Sequence, residues 1–467
     1  MADVPLPRPE LTNEHSEAAE LIAGAIPPAV RDILTRLTGA GHAAFAVGGS
    51  LRDILLDRPA ADWDLASSAL PERVVTLFPG AVYENAFGTV AVREHGDVFE
   101  VTTFRTDHVY ADFRRPHRVE FSSSIEADLA RRDFTINAMA WGWSPGDQPA
   151  LLDPAGGVAD CDRRIIRTVG EPDARFAEDA LRMVRAVRLA AELDFTVEPA
   201  TLEAIGRNAG LAAHLSAERV AAELDRMLAA PRPSIGLRLM EATGLLGVLV
   251  PELAAQRGVA QDKIPGDDLW DHTCRAVDAG PPDRPIVRLA ALLHDIGKPA
   301  TAADGRFHGH ESVGAEMADV AMRRLRIPRT TAQRVASLIA EHMWNYEPAW
   351  SDAAVRRFIR KIGIGAIDEL FALRAADSVG SGLDPDAGGL AEVRRRVEAQ
   401  LAAAVALDRG DLAIDGDDLI SELGLEPGPR LGRYLDELTE RVVADPGLNE
   451  RPTLLLLAQG MLADDVL

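Results

Sequence analysis

Lysine and cysteine are both scarce in this sequence. Only three of its 50 basic residues are lysines, namely Lys263, Lys298 and Lys361, and arginine supplies the rest. A GC-rich coding bias explains this preference as well as a demand for the bidentate contacts that arginine makes with phosphates and bases, so composition leaves both explanations open. The two cysteines, Cys161 and Cys274, lie far apart, which excludes a disulfide framework and a Cys-x-x-Cys metal site.

Long apolar runs and an excess of positive charge are also missing. No apolar run approaches the roughly 20 residues that a bilayer span requires, and the apolar stretch 239–253 is interrupted by Glu241 and Pro251. The first residues are neither basic nor followed by an apolar core, which argues against a signal peptide. We therefore expect a cytoplasmic protein with no membrane partner. The net charge of −23 argues mildly against nucleic-acid binding, although a net charge can conceal a basic surface.

The length of 467 residues and the changes in sequence pattern predict several domains of a mixed α+β protein. Strand patterns at 43–47, 89–93 and 98–104 alternate with helical patterns, whereas long helical patterns dominate later in the chain. One of these predicts a single helix over 176–193. The predicted segments are a loose tail over 1–26, a mixed head over 27–160, and three helical segments over 161–256, 257–380 and 381–467.

A glycine turn stands at the start of the first candidate site. The strand pattern 43–47 leads into Gly48 and Gly49, and a helical pattern begins at Ser50. Glycine allows a phosphate to approach the backbone closely, and the N-terminus of a helix offers free N–H groups to an anion. Arg52 lies one helical turn further on, where it can hold a triphosphate. These residues predict a phosphate-binding turn.

Two carboxylates follow this turn at a spacing typical of a metal site. Asp62 and Asp64 lie two residues apart, so on a strand both side chains face the same way. Such a pair can hold hard cations such as Mg²⁺, and two ions about 3.5–4 Å apart can clamp the attacking and leaving oxygens of a phosphoryl transfer. Glu100 is a candidate third carboxylate from a neighbouring strand. An isolated Gly-Gly or Asp-x-Asp is weak evidence, but their combination predicts phosphoryl transfer.

Several segments resemble the motifs of one enzyme family. The segment 48–56 followed by 62–65 resembles the signature motif of class II CCA-adding enzymes, which belong to the DNA polymerase β-like nucleotidyltransferases. The segment 131–138 resembles the second motif of that family, 153–157 its connecting segment, and 178–182 the motif that selects the incoming nucleotide. The resemblance implies a polymerase β-like nucleotidyltransferase head, an all-α neck, a helical body and a tail that helps to hold tRNA.

The resemblance also implies an activity and a set of site residues. The activity is addition of C, C and A to the 3′ end of tRNA from CTP and ATP, with Mg²⁺ as cofactor and pyrophosphate as product. Asp62, Asp64 and Glu100 are then the catalytic carboxylates. The residues that would bind the nucleotide are Gly48, Gly49, Arg52, Arg132, Asp133, Asn137, Asp179, Arg182, Arg185 and Arg188. The segment 106–116 is similar to a loop that the family needs for the final A, which argues against an enzyme that adds only C.

The motif that selects the nucleotide also has a physical rationale. Asp179 and Arg182 lie three residues apart on one predicted helix, which places them on the same face. The carboxylate only accepts hydrogen bonds and the guanidinium only donates them, so the pair matches cytosine or adenine and rejects guanine and uracil. A matched contact of this kind contributes roughly 1–3 kcal/mol of discrimination. Arg185 and Arg188 continue the face, although alone such a series is more often a salt-bridged surface.

A second candidate site consists of histidines and aspartates in the segment 257–380. Each alone would be an ordinary polar residue, but the set resembles the metal ligands of the HD phosphohydrolase superfamily. The four core ligands would be His272, His294, Asp295 and Asp377. His310 and His342 would be the additional ligands of two-metal members, and the neighbouring His308 is treated as a bystander. Such ligands suit a divalent metal, Mn²⁺, Fe²⁺, Ni²⁺ or Mg²⁺, without choosing among these ions.

The sequence leaves several alternative functions open. In related enzymes an HD domain carries phosphatase or 2′,3′-cyclic phosphodiesterase activity, and in others it is chiefly structural. A poly(A) polymerase shares the head and neck but adds only A. An HD phosphohydrolase whose head merely binds RNA is a further alternative. An inert RNA-binding scaffold is disfavoured by the intact carboxylates, and the oligomeric state is not predicted.

Overall fold

A computed structural model of the chain describes residues 13–83, 88–110, 116–261, 263–403 and 406–464. The chain divides into two compact units, Met1–Ala254 and Ala255–Leu467. This division lies next to the boundary predicted between residues 256 and 257. Within the described part of the chain, every helix is too short or too polar to cross a membrane.

The first unit contains one large sheet and thirteen described α-helices. The helices are α1 Asn13–Ala25, α2 Pro28–Gly39, α3 Gly49–Leu55, α4 Pro71–Leu77, α5 Ile125–Ala130, α6 Gly157–Asp162, α7 Pro172–Glu178, α8 Leu181–Leu193, α9 Pro199–Asn208, α10 Ala217–Leu228, α11 Pro233–Ala242, α12 Leu245–Leu249 and α13 Pro251–Ala254. The strands are β1 Ala44–Val47, β2 Asp64–Ser67, β3 Val82–Tyr83, β4 Thr89–Glu94, β5 Asp97–Thr103, β6 Arg105–Tyr110, β7 Pro116–Phe121, β8 Ala140–Trp143, β9 Ala150–Leu152, β10 Ile165–Ile166 and β11 Thr196–Val197.

The large sheet has seven strands in the order β3-β4-β5-β2-β1-β8-β9. Its neighbouring strands are antiparallel except for β2 and β5, which are parallel. Every residue of β1 is buried, as expected of a short apolar strand between two neighbours. The predicted strands 43–47, 89–93 and 98–104 correspond to β1, β4 and β5. The mixed α+β class is confirmed.

The N-terminal segment differs from its prediction. The sequence predicts a loose tail over residues 1–26, but residues 13–25 form α1. The prediction is wrong there because α1 has an apolar face: Ile22 is fully buried, and Ala18, one helical turn earlier, is also buried. Burial of this face offsets the entropy lost when the segment is ordered. Residues 1–12 lie outside the described residues.

The helical neck departs from its prediction at one point. Instead of one helix over 176–193, α7 ends at Glu178 and α8 begins at Leu181. Asp179 is extended between them, and its Oδ1 atom accepts a hydrogen bond from the backbone N of Leu181 at 3.0 Å. An aspartate side chain that bonds nearby backbone N–H groups competes with helical hydrogen bonds, which explains the interruption.

Strands β6 and β7 form a separate antiparallel pair. The loop that the sequence assigns to addition of the final A, residues 106–116, includes most of β6 and the first residue of β7. Its central part, residues 111–115, lies outside the described residues. The role of this loop stays a prediction.

The described residues of the second unit form helices without a named strand. The helices are α14 Leu269–Ala279, α15 Pro285–Leu293, α16 Lys298–Thr301, α17 His310–Arg324, α18 Arg329–Glu341, α19 Asp352–Ile362, α20 Ile364–Gly380, α21 Leu390–Ala402, α22 Gly416–Leu423, α23 Pro429–Ala444 and α24 Arg451–Asp464. Helices α14, α15, α18 and α20 pack against one another, and α17 packs against α18. The tail has a core of its own, which includes Leu419, Leu438, Val442 and Leu454.

Candidate active site and metal centre

A glycine turn joins β1 to α3 in the head. Gly48 has a φ of 86°, a left-handed conformation that favours glycine. A Cβ atom at Gly48 would lie 3.0 Å from Nη1 of Arg132 and 3.6 Å from Oδ2 of Asp64. The turn therefore lies directly against a guanidinium and a carboxylate, and a side chain at this position would displace Arg132.

Of the three predicted carboxylates, Asp64 lies directly beside this turn. Asp64 of β2 is the register partner of Glu100 in the parallel strand β5, so the two side chains share one face of the sheet. Asp62 and Asp64 are exposed, whereas Trp63 between them is buried. Strand β2 begins at Asp64, so Asp62 precedes it, and the alternating exposure is the pattern expected if the side chains of Asp62 and Asp64 face the same way.

The surroundings of Asp64 act on its pKa in opposite directions. Desolvation by the surrounding protein raises the pKa of Asp64, and the carboxylate of Asp62 raises it further, whereas Arg132 and Arg185 act to lower it. A raised pKa means that the negative charge of Asp64 is incompletely compensated by the protein. A cation bound between the two carboxylates would supply the missing compensation.

A chain of polar side chains connects the glycine turn to the neck. Nη1 of Arg52 donates to Oδ1 of Asn137 at 2.7 Å, and Nδ2 of Asn137 donates to Oδ1 of Asp133 at 3.2 Å. Oδ2 of Asp133 forms an ion pair with Nη2 of Arg185 at 2.8 Å. Burial alone would raise the pKa of Asp133, but Arg185 and Asn137 outweigh burial and lower it, so the carboxylate stays ionised. Four of the predicted nucleotide-binding residues thus form one continuous network.

The predicted base-selecting pair contacts other residues in this structure. Oδ2 of Asp179 forms an ion pair with Nη2 of Arg219 at 2.6 Å. Nη1 of Arg182 donates to Oε2 of Glu178 at 2.6 Å, and its Nη2 donates to the backbone O of Arg131 at 2.9 Å. Because Asp179 lies outside α8, the prediction that both residues occupy one helix is wrong. They share a turn instead, since the backbone N of Arg182 donates to the backbone O of Asp179 at 3.0 Å.

The three predicted arginines of α8 differ in exposure. The side chains of Arg182, Arg185 and Arg188 are 9%, 39% and 3% exposed. Nε of Arg188 donates to Oε2 of Glu223 at 2.5 Å, and its Nη1 donates to Glu192. Of the three, Arg185 is the most accessible to a ligand. Arg188 is instead enclosed by carboxylates of the neck, so the salt-bridged alternative describes it better than the predicted nucleotide contact.

The six predicted HD ligands converge in the second unit, and all of them are buried. Ligand atoms within 4.8 Å of one another form two groups, which are His272, His294 and Asp377, and Asp295, His310 and His342. Asp295 connects the groups, because its Oδ2 atom lies 3.1 Å from Nε2 of His294 and its Oδ1 atom lies 3.4 Å from Nε2 of His310. The arrangement offers two adjacent metal positions that share one carboxylate.

Backbone carbonyls fix the orientation of three of these imidazoles. In each case Nδ1 lies 2.6–2.8 Å from the carbonyl oxygen three residues earlier, in the pairs His294 with Ala291, His310 with Phe307, and His342 with Ile339. A carbonyl oxygen only accepts hydrogen bonds, so Nδ1 carries the hydrogen. The Nε2 lone pair of the neutral ring is then available to coordinate a metal.

Two further observations fit a divalent metal at this centre. Nε2 of His310 and Oδ1 of Asp295 have no hydrogen-bond partner of acceptable geometry among the described residues. Burial would lower the pKa of His294, but Asp295 and Asp377 outweigh it and raise the pKa to about 9. Buried carboxylates that hold a proton so strongly also attract a metal ion, which would displace that proton.

Three segments of the chain match known domain families. Residues 44–167 match the poly A polymerase head domain, residues 194–257 match the probable RNA and SrmB-binding site of polymerase A, and residues 266–380 match the HD domain. Nucleotidyltransferase and HD domains generally use divalent metals, in agreement with the two carboxylate-containing sites. The boundaries predicted at residues 160, 256 and 380 stay predictions.

The chain is similar over most of its length to curated CCA-adding enzymes. The enzyme of Geobacillus kaustophilus is 36% identical over 428 residues, which are 90% of this chain and 93% of the relative. The enzyme of Streptococcus thermophilus is 33% identical over 430 residues, which are 92% and 96% of the two chains. The chain belongs to the CCA-adding enzyme family. It is a nucleotidyltransferase, and the CCA-adding activity expected from the sequence is confirmed.

A solved structure agrees with this assignment. The CCA-adding enzyme of Bacillus stearothermophilus in complex with CTP is 31% identical to this CCA-adding enzyme, with a TM-score of 0.70. The similarity covers 95% of this chain and 100% of the solved one. The similarity therefore extends over head, neck, body and tail rather than over one domain.

Two contacts in the neck of this CCA-adding enzyme were not predicted. Arg219, in the first turn of α10, pairs with Asp179, and Glu223 of the same helix pairs with Arg188. The helix dipole disfavours a cation at the N-terminus of a helix. An arginine in the first turn of a predicted helix could therefore have indicated that it pairs with a nearby carboxylate. Glu223 carries no comparable signal, because glutamate is an ordinary residue of an exposed helical face.

Proposed function

We propose that this CCA-adding enzyme transfers CMP and AMP from CTP and ATP to the 3′-hydroxyl group of tRNA at the glycine turn of the head. The observation that carries this assignment is the register pairing of Asp64 with Glu100 beside Gly48. Carboxylates on one face and a turn that a phosphate can approach are the two elements that a phosphoryl transfer requires. The two alternatives, a poly(A) polymerase and an HD phosphohydrolase with an inert head, receive no support from the curated relatives.

Asp62, Asp64 and Glu100 would hold Mg²⁺ in this site. Carboxylate oxygens suit this small and hard ion, which also keeps water and substrate oxygens in its coordination shell. The exposure of Asp62 and Asp64 supports the proposal, since a triphosphate can reach their oxygens. Bound there, Mg²⁺ would supply a lower pKa for the attacking hydroxyl group and charge stabilisation for the leaving pyrophosphate.

Arginines around the turn would bind the triphosphate. Nη1 of Arg132 lies against Gly48, and Nη2 of Arg52 would lie 3.3 Å from a Cβ atom at Gly49. A phosphate at the turn would therefore meet two guanidinium groups, whose donors match phosphate oxygens. Arg185 would provide a third guanidinium group on the neck side, and its ion pair with Asp133 would hold that group in position.

The turn between α7 and α8 would select the base. The carboxylate of Asp179 would accept the amino group of cytosine or adenine, and the guanidinium of Arg182 would donate to a ring acceptor. Arg219 would hold the carboxylate of Asp179 in place, as Glu178 does for the guanidinium of Arg182. Two residues of fixed geometry would thus replace a nucleic-acid template.

The direct test is to identify the bases that the purified protein adds. A tRNA that lacks its 3′ terminus is incubated with all four nucleoside triphosphates and Mg²⁺, and the products are sequenced. We expect C, C and A followed by termination. A long A tail would identify a poly(A) polymerase, and unextended tRNA would contradict a catalytic head.

The variant Asp179→Ala tests the base-selecting role in the same assay. We expect the preference for CTP over UTP to fall by about tenfold to a hundredfold, because the acceptor for the amino group is lost. The matched control is Asp173→Ala on α7, where an exposed aspartate pairs with Arg207 on the surface. An unchanged ratio of incorporated C to U in Asp179→Ala would assign selection to other residues.

A metal-dependent phosphohydrolase at the HD centre is a second function that we propose. The convergence of six buried ligands, three of them with fixed tautomers, supports it because a purely structural helical domain has no need of such an arrangement. Mn²⁺, Fe²⁺, Ni²⁺ and Mg²⁺ all suit these ligands. The substrate class would be phosphate esters, with 2′,3′-cyclic phosphates as the first compounds to assay.

The variant Asp295→Ala tests this centre, because Asp295 contributes to both metal positions. We expect purified Asp295→Ala to lose the metal of the second unit and any phosphate release from a 2′,3′-cyclic nucleotide. Mass-spectrometric metal analysis in an Asp62→Ala/Asp64→Ala background restricts the measurement to the HD centre. Glu316→Ala, on the exposed face of α17, is the matched control. Full metal content in Asp295→Ala would contradict the proposed centre.

A further inference from the structure

Two of the three lysines of the chain lie at the HD centre. Nζ of Lys298 donates to Oδ2 of Asp295 at 2.6 Å, and Nζ of Lys263 lies 3.7 Å from Oδ1 of Asp377. The third, Lys361, is exposed and pairs with a glutamate on the surface. Arginine supplies nearly every other cation of the chain. The presence of two lysines at one centre therefore indicates a specific use of the ammonium group there.

The two lysines at the centre have different environments. Lys298 is buried, donates to Asp295 and lies 5.6 Å from the centroid of the Phe307 ring. Lys263 has a side chain that is 36% exposed, and its distance to Asp377 is too long for a hydrogen bond. Lys298 is therefore hydrogen-bonded to the proposed metal ligand Asp295. Lys263 lies near Asp377 without a hydrogen bond and is accessible to a ligand that arrives from solvent.

The choice of lysine at position 263 has a physical reason. A guanidinium group that paired with Asp377 through two parallel hydrogen bonds would compete with a metal for both of its oxygens. An ammonium group is a compact point charge that leaves the carboxylate available. Arg374 also approaches Asp377, with Nη1 3.6 Å from Oδ2, and adds a second cation to this side of the centre.

The charge balance of the centre favours an anionic ligand. Asp295 and Asp377 are the two anionic residues among the six ligands, and the other four are neutral imidazoles when they coordinate. Two divalent ions would outweigh two carboxylates, and the nearby cations Lys263, Lys298 and Arg374 add to the excess. Glu311, whose Oε2 atom lies 3.5 Å from Nδ1 of His310, offsets one of these positive charges. A phosphate group is an anion that can balance such a charge.

We propose that Lys263 is a phosphate-binding residue of the HD centre, whose ammonium group donates to an oxygen of the phosphate ester held there. The inference rests on the proposed hydrolase function and extends it by naming a residue that recognises the substrate. Lys263 does not coordinate the metals. Its contribution is to bind and orient the phosphate group from the solvent side.

The test compares phosphate binding by variants of the full-length protein. The reference is the Asp62→Ala/Asp64→Ala chain loaded with Mn²⁺, in which the head site no longer holds metal, and the probe is inorganic phosphate in a calorimetric titration. Lys263→Met is expected to weaken phosphate binding by about tenfold or more, because a charge-assisted hydrogen bond is lost. The affinity for Mn²⁺, titrated separately, is expected to stay unchanged. Lys361→Met is the matched control.

Each other outcome would overturn the proposal in a distinguishable way. Unchanged phosphate affinity in Lys263→Met would remove the role of Lys263 and leave the hydrolase proposal standing. A parallel loss of Mn²⁺ affinity in that variant would mean that the lysine supports the ligands and not the phosphate. A reference protein that binds Mn²⁺ but no phosphate would overturn the role of Lys263. A reference protein that binds neither would overturn the hydrolase proposal, and the inference would fail with it.

Discussion

A chain that carries Asp62→Ala and Asp64→Ala is expected to incorporate CMP into tRNA about a thousandfold more slowly than the natural chain, or slower still. The reason is that Glu100 would be left as the single carboxylate of the proposed Mg²⁺ site, and one carboxylate cannot position both the attacking and the leaving oxygen. The measurement is the rate of radiolabelled CMP transfer to a tRNA that lacks its 3′ terminus, at saturating CTP and Mg²⁺.

The same variant should fold normally, because Asp62 is exposed and because Asp64 is a carboxylate whose charged form is penalised by desolvation. Circular dichroism and the midpoint of thermal unfolding check this requirement. Asp147→Ala, in an exposed turn of the head, is the matched control and should transfer CMP at the natural rate. A rate within tenfold of the natural one in the double variant would locate the chemistry elsewhere.

Arg188→Met is expected to lower the free energy of unfolding by about 3–5 kcal/mol, because Glu223 would be left buried without its cation. Glu192 has a more exposed side chain and can turn toward solvent, so most of the loss arises from Glu223. Denaturant titration followed by circular dichroism measures the change. At a temperature where the variant is folded, its KM for CTP should remain close to that of the natural chain.

A double variant distinguishes a structural role of Arg188 from a role in nucleotide binding. Arg188→Met/Glu223→Leu should recover most of the lost stability, since two apolar side chains can replace a buried ion pair of similar volume. Arg226→Met removes an arginine that is 61% exposed and lies 3.8 Å from Glu192, and it should change stability little. If Arg188→Met instead raised KM without loss of stability, Arg188 would have the nucleotide-binding role that the family resemblance implies.

The parts of the fold that the sequence predicts correctly depend on local patterns. The apolar run of β1 followed by Gly48 indicates a strand and a turn within a few residues, and the Asp62-x-Asp64 spacing places two carboxylates on one side. The pairing of β2 with β5, in contrast, joins residues 36 positions apart. The sequence predicts Glu100 only as a carboxylate of a neighbouring strand, and its register pairing with Asp64 follows from the sheet itself.

The errors arise where side-chain contacts override a local pattern. The periodicity of residues 176–193 predicts one helix, but the side chain of Asp179 bonds the backbone and interrupts it. The series Arg182, Arg185 and Arg188 indicates one face, yet Arg188 is buried because α10 supplies Glu223. The partner of Arg188 lies 35 positions away in the sequence, so no spacing rule identifies it.

The HD ligands show a second limit of prediction from sequence, which is that residues far apart in the chain can form one site. Their identity was expected from a family resemblance, since His272 and Asp377 are 105 positions apart and no periodicity connects them. What the structure adds is their division into two groups and the carbonyl contacts of three Nδ1 atoms. The sequence does not predict a role for Lys263 either, because a single lysine in a loop matches no motif.

The carbonyl contacts of His294, His310 and His342 bear on how the cell supplies this centre. Each ring is oriented by the backbone of the helix or turn that carries it, so the coordinating atoms are in place before any ion arrives. Nitrogen and oxygen donors can bind several first-row divalent ions, and which ion a site holds depends on metal availability as well as on its geometry. The metal content of the purified protein would then depend in part on the ions present when it is made.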